Sequence, residues 1–115
     1  MKHSIPGVFD LWLPEAPAAP VVFDSPHSGA DFPPDFDTIA PMARLRRAED
    51  MYVDALFGGA VTQGMALLAA RFPRCYIDPN RSDVDIDQRL LDGRWPGEIR
   101  ATEKSRLGHG LIWRL

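Results

Sequence analysis

The chain has 115 residues, 45% hydrophobic and 25% charged, ordinary proportions for one soluble globular unit with a single core. Its net charge of −3 and pI near 5.5 argue against a phosphate-backbone partner, because the arginines are scattered apart from Arg44, Arg46 and Arg47, and Glu49 and Asp50 follow that group closely. One cysteine, Cys75, excludes an internal disulfide framework, fits a reducing compartment, and reads as a small buried hydrophobe.

Residues 1–20 read as an extended lead-in. "GVFDLWLP" alternates loosely enough to add a short strand, and "PEAPAAP" is a stiff connector that cannot continue a ladder. Asp10 and Glu15 interrupt this segment, so it is neither a signal peptide nor a membrane span, and a cytoplasmic location is the expectation. Residues 20–25 are dense in β-formers and predict a buried strand; "HSGADFPPDFD" predicts a loop.

From about Pro41 to Thr62 the pattern is helical, with Val53, Leu56, Phe57 and Ala60 at i, i+3, i+4 and i+7. Glu49 and Asp50 open the amphipathic run, and Gly64 is a plausible stop. "MALLAARF" predicts a strand, although its Ala/Leu content leaves a helix open; "RCYIDPNR" predicts a short strand ending in a turn at Pro79-Asn80. Residues 82–108 read as an irregular polar loop, and "GLIWRL" as a final apolar strand. Strand, helix and strand in alternation predict an α/β sheet with crossover helices in a single domain. Structureless loops beyond about 12–15 residues are uncommon, so this ending leads us to expect a domain that lacks its second half.

Three groups of residues could carry chemistry. His27 stands just past a strand's carboxyl end, where open α/β sheets bind ligands, though alone it reads at least as well as a turn residue. Glu49 and Asp50 suit a helix start, yet either acid with His27 would supply two of the three protein ligands that a catalytic zinc takes. His3 lies in the terminus and His109 in a Gly-His-Gly turn, so no third ligand is evident. Arg81 and Asn80, with Arg74 one strand-length earlier, could grip a substrate carboxylate; Arg81 could equally pair with Asp83, Asp85 or Asp87. Ser25 and Ser28 lack a nucleophile-elbow context, and neither HExxH nor paired CxxC occurs.

Taken together, "VVFDSPHSGADFP", "RRAEDMYVDALF", "GMALLAARFPRCYIDPNRSDVDID" and "GLIWR" resemble the N-formylglutamate amidohydrolase family from about Val21 to Arg114. The order of PHSG, ED-x-x-x-D and DPNR carries the resemblance; each motif alone is weak. It implies a three-layer α/β/α fold with a mixed, mostly parallel sheet, like the zinc carboxypeptidases and aspartoacylase, present here as the N-terminal half. It further implies hydrolysis of N-formyl-L-glutamate to glutamate and formate in histidine degradation, with a divalent metal, zinc by expectation. His27 matches the first metal-binding histidine and Asp50 the second ligand, with Glu49 the weaker choice. Asn80 and Arg81 match a pair that binds the substrate's carboxylate, and Arg74 matches, on looser spacing, a residue that polarises the scissile carbonyl. The further histidine and the general-base glutamate are expected outside these residues, which leaves this chain alone with little or no activity and marginal stability. Two alternatives stay open: a metal-free fold that binds a small carboxylate through Asn80 and Arg81, and an amidohydrolase for another N-acyl amino acid.

Overall fold

The computed structural model describes residues 1–115. Its first twelve residues are not an extended lead-in but a hairpin. Strands β1 (Lys2–Ile5) and β2 (Phe9–Trp12) pair antiparallel, with Ile5 opposite Phe9. Between them Pro6 precedes Gly7 at φ 73°, and the Val8 N–H donates to the Ile5 carbonyl at 2.9 Å. Proline followed by a positive-φ glycine is the chemistry of a type II turn.

Strand β4 (Ala66–Ala70) is the centre of the sheet. It pairs antiparallel with β2 and parallel with β3 (Val22–Ser25), giving the order β1-β2-β4-β3. The fold is therefore α/β with a mixed sheet, but the sheet is mostly antiparallel rather than mostly parallel. The reason is the hairpin, which occupies one flank of β4. The strand at 20–25 is also less buried than its composition suggests: β3 is an edge strand, Ser25 is buried, and Val22 is 63% exposed.

The helical stretch 41–62 is broken into α1 (Met42–Leu45), a 3₁₀ turn at Arg46–Ala48, α2 (Val53–Leu56) and α3 (Gly59–Thr62). Glu49 is extended and Tyr52 is left-handed at φ 64°. At the break, the Asp50 N–H donates to the His27 carbonyl at 2.9 Å instead of to a helical carbonyl. Tertiary pairing has overridden periodicity there, and Leu56, expected on a buried face, is 78% exposed. Phe57 still stacks on Phe23 at 5.3 Å, and α3 packs on β4. Phe23 and Leu67 stand opposite one another and share this covered face, whereas Asp24, Leu68 and Leu11 share the other. That second face is half-exposed, so helices cover the sheet on one side where a three-layer arrangement was expected. No helix is long and apolar enough to cross a membrane.

"RCYIDPNR" forms turns and no strand: the Tyr76 N–H donates to Pro73 at 3.0 Å and the Arg81 N–H to Asp78 at 3.2 Å. Prolines 73 and 79 supply no ladder donors. Cys75 is buried with Leu45 and Ala48, against Phe32, Phe36 and Trp113, and burial pushes its thiol pKa up. Residues 82–108 are more ordered than an irregular loop. Buried Asp85 accepts the Thr102 N–H and hydroxyl, both at 2.8 Å, at the start of α4 (Glu103–Arg106), and Asp87 accepts from Arg114 at 2.9 Å. "GLIWRL" folds back with one bridge, His109 to Trp113, and adds no strand to the sheet. Its Leu111 reaches both sides, donating to the Asp85 carbonyl at 2.9 Å and accepting the Asp78 N–H at 2.8 Å.

Two predictions follow from this packing. A Cβ on Gly29 would lie 2.2 Å from the Phe72 carbonyl oxygen and 2.5 Å from that of Arg71, whereas a Cβ on Gly59 would meet nothing within 4 Å. Gly29→Ala is expected to destabilise by at least about 2–3 kcal/mol, and Gly59→Ala to be neutral or stabilising by up to about 1 kcal/mol, as read by thermal or denaturant unfolding. The second concerns acid. Burial raises the Asp85 pKa, but the hydrogen bonds from the Thr102 N–H and hydroxyl prevail and hold it below the ordinary 3.8. Its stabilisation is thus present above about pH 4 and lost as pH falls through the lower folded value. Denaturant midpoints measured from pH 6 to pH 2 should fall less steeply for Asp85→Asn than for the unchanged chain.

Candidate functional site

The turn between Pro73 and Arg81 carries a carboxylate that the sequence did not single out. Asp78 is fully buried, which would disfavour its charge unless donors surround it. They do. Its Oδ1 accepts from His27 Nε2 at 2.8 Å and from the Asn80 N–H at 2.9 Å. Its Oδ2 accepts from Arg74 Nη2 at 3.0 Å, Arg74 Nε at 3.3 Å and Trp113 Nε1 at 3.1 Å. Burial pushes the Asp78 pKa up, but the Asn80, Arg74 and His27 donors outweigh it and keep the carboxyl below its usual range.

This fixes the imidazole of His27. An ionised carboxylate only accepts, so the proton facing Asp78 belongs to Nε2. Nδ1 turns the other way, 3.4 Å from Oδ2 of Asp50. His27 is buried, while the Asp50 side chain is 52% exposed. The chain enters this arrangement through "SPHSG": β3 ends at Ser25, and Gly29 lets the backbone pass against Arg71 and Phe72. At 3.4 Å the Nδ1 lone pair and the Asp50 carboxylate oxygen are close enough to reach one cation together. A carboxylate behind the remaining ring nitrogen is the arrangement that orients metal-ligating histidines. His27 Nδ1 and the Asp50 carboxylate are donor types that a divalent metal takes, with Asp78 behind the ring, but no group of three His, Cys, Asp or Glu side chains that could hold a metal ion is gathered here.

Other expected residues fall around this pair. Glu49 is ion-paired with Arg46 and makes no hydrogen bond or ion pair with His27. Arg74 uses Nε and Nη2 on Asp78, which leaves Nη1, 3.8 Å from Asp50 Oδ1, as the edge nearest the His27–Asp50 pair. Arg81 does not pair with Asp83, Asp85 or Asp87. Its Nε donates to the His109 carbonyl at 2.8 Å and its Nη1 to the Asn80 carbonyl at 2.8 Å, with Nη2 3.9 Å from Asp78 Oδ2. The Asn80 side-chain amide makes no hydrogen bond within the chain, and Asn80 is among the residues lining a cleft of about 220 Å³ with Phe9, Asp24, Leu68 and Phe72. Two residues of the site escaped the sequence reading. Asp78 had a signal, an aspartate two residues before an N–H that it caps at a Pro-Asn turn; Trp113, inside an apolar run, had none.

A family model described as N-formylglutamate amidohydrolase matches residues 19–115. A solved structure, N-formylglutamate amidohydrolase from Ralstonia eutropha JMP134, is 52% identical with a TM-score of 0.87, over 93% of this chain and 38% of that one. The chain therefore spans well under half the length of that relative. No curated protein matches it.

Removing the Asp78 carboxylate tests how far the site depends on it. Asp78→Ala leaves Arg74, 14% exposed, and His27 without their acceptor, and a loss of about 3–5 kcal/mol is expected. Asp78→Asn keeps the shape and one acceptor oxygen and should lose less, so the two variants should separate in denaturant unfolding; equal losses would mean the charge is not what the neighbours need.

Proposed function

The chain belongs to the N-formylglutamate amidohydrolase family, and on that premise we propose that it supplies the metal-holding part of an enzyme that hydrolyses N-formyl-L-glutamate to glutamate and formate, in the degradation of histidine. The observation that carries this reading is the Asp78–His27–Asp50 line: a buried carboxylate at 2.8 Å on one ring nitrogen and an exposed carboxylate at 3.4 Å from the other. His27 Nδ1 and Asp50 would hold a divalent ion, zinc by preference for imidazole and carboxylate ligands. When bound, that ion supplies Lewis acidity and a water of lowered pKa.

The chain's own residues have distinct tasks in this reading. Asp78 keeps the His27 ring in the tautomer and orientation that present Nδ1 outward. Arg74 Nη1 offers a fixed positive edge beside Asp50, placed to stabilise charge on a formyl oxygen as the carbonyl is attacked. The unpartnered Asn80 amide, and Nη2 of Arg81, are the donors left for the substrate's carboxylates. Because Arg81's other donors hold backbone carbonyls, its guanidinium is preorganised rather than free to follow the ligand.

Metal titration and formate release, both measured on the polypeptide that carries these residues, test the proposal. One zinc per chain is expected to bind, His27→Ala and Asp50→Asn are expected to abolish stoichiometric binding and formate release together, and Asp78→Asn is expected to weaken binding by about 10–100-fold. Metal binding that survives His27→Ala would place the ion elsewhere. Tight binding of glutamate or its N-formyl derivative with no metal and no formate released would favour the metal-free carboxylate-binding alternative.

A further inference from the structure

We propose that Trp113 is a positioning residue: its indole holds Arg74 and Asp78 in the arrangement that turns Nη1 of Arg74 toward the His27–Asp50 pair. This inference rests on the reading of that pair as the reaction centre. Both hydrogen bonds from Arg74 converge on one oxygen, with Nη2 at 3.0 Å and Nε at 3.3 Å from Asp78 Oδ2. A guanidinium gripping two carboxylate oxygens in parallel is fixed in its plane, but one that grips a single oxygen can pivot about it. Something else must set the direction of Nη1. The indole of Trp113 does so: the Arg74 guanidinium carbon lies 4.5 Å from the ring centroid, within cation–π range. The same side chain donates Nε1–H to Asp78 Oδ2 at 3.1 Å, so one rigid group fixes both the pivot and the plate that turns on it.

The indole is itself held. It packs against the buried cluster of Leu45, Ala48 and Cys75, and its ring contacts that of His109, centroids 4.4 Å apart. The backbone on either side is tied back, His109 bridging to Trp113 and the Arg114 N–H donating to Gly108 at 2.9 Å. Asp78 in turn donates its backbone N–H to Leu111 at 2.8 Å. The apolar run 110–115, which reads as a strand, thus works as a brace behind the site. Trp113 makes no hydrogen bond with His27 or Asp50, and its hydrogen bond and cation–π contact go to Asp78 and Arg74.

Two substitutions separate the ring face from mere support, tested in the whole polypeptide. Trp113→Phe keeps an aromatic face and removes the N–H, whereas Trp113→Leu removes both. Three readouts are compared: the ring-current displacement of the Arg74 Nε–H proton resonance, kcat and KM for formate release from N-formyl-L-glutamate, and the unfolding midpoint. The expected result is that Trp113→Leu loses the Arg74 displacement and about 10²-fold in kcat with KM nearly unchanged, the consequence of a misaimed group. Trp113→Phe should retain the displacement and most of kcat. If Trp113→Leu leaves the Arg74 resonance or kcat where it was, or if both variants lose rate only in proportion to their unfolding midpoints, the proposal is overturned. Should the leucine variant fail to fold, the phenylalanine variant decides alone, because loss of the Arg74 displacement there would also overturn it. Absence of formate release from the unchanged polypeptide would count against the proposed reaction, while the Arg74 resonance would still report on the clamp.

Discussion

A carboxylate withdrawn completely from water must be surrounded by donors, and Asp78 imposes that requirement on the parts of this chain that make up the site. His27 comes from the loop after β3, Arg74 and Asn80 from the turns after β4, and Trp113 from the far end of the chain. All four donate to its two oxygens, and no buried side-chain polar atom is left without a partner. Burial alone would raise the Asp78 pKa; the hydrogen bonds reverse that, so the negative charge is a permanent part of the structure at neutral pH. A satisfied network of this kind specifies one arrangement, because each member loses its partner if any other moves.

The sheet makes the convergence possible. In β4 the chain has a central strand flanked by an antiparallel hairpin on one side and by parallel β3 on the other. Because β3 and β4 run parallel, both deliver their following loops to the same end of the sheet, and those loops contain His27 and the Pro73–Arg81 turns. An antiparallel pairing would have put them at opposite ends. Ligand sites at the carboxyl ends of parallel strands arise in this way, even in a sheet whose other pairings are antiparallel.

Much of the site was legible as residue types in order. His27, Asp50 and Arg74 do come together, Arg74 Nη1 at 3.8 Å and His27 Nδ1 at 3.4 Å from the Asp50 carboxylate. β-forming composition placed β3 and offered β4 with a helix left open, and helical periodicity failed where tertiary hydrogen bonds compete with helical ones. The 41–62 run breaks because the Asp50 N–H bonds to His27, a residue more than twenty positions away that no local pattern can weigh. Arg81 was read as gripping a substrate carboxylate or as pairing with Asp83, Asp85 or Asp87; it pairs with none of those acids, and backbone carbonyls at Asn80 and His109 hold its Nη1 and Nε. Asp85 and Asp87 looked like its solvent partners and instead close the 82–108 segment onto Thr102 and Arg114.

By itself the sequence indicated an α/β domain, a strand within 20–25, a strand candidate within 65–72 with a helix left open, the buried thiol of Cys75, and the family that "PHSG", "ED" and "DPNR" resemble. These follow from local chemistry: β-forming residues, turn residues at fixed offsets, and side-chain types in a set order. Only the tertiary structure decided that the N-terminal segment is a hairpin flanking β4, that Asp78 rather than a more exposed acid organises the site, and that Trp113 closes over Arg74. The physical reason is sequence separation. His27 and Asp78 lie 51 positions apart, and Asp78 and Trp113 lie 35 apart. Whether a carboxylate is a solvated surface group or the buried hub of a site depends on what the fold brings over it, and neighbours along the chain do not carry that information.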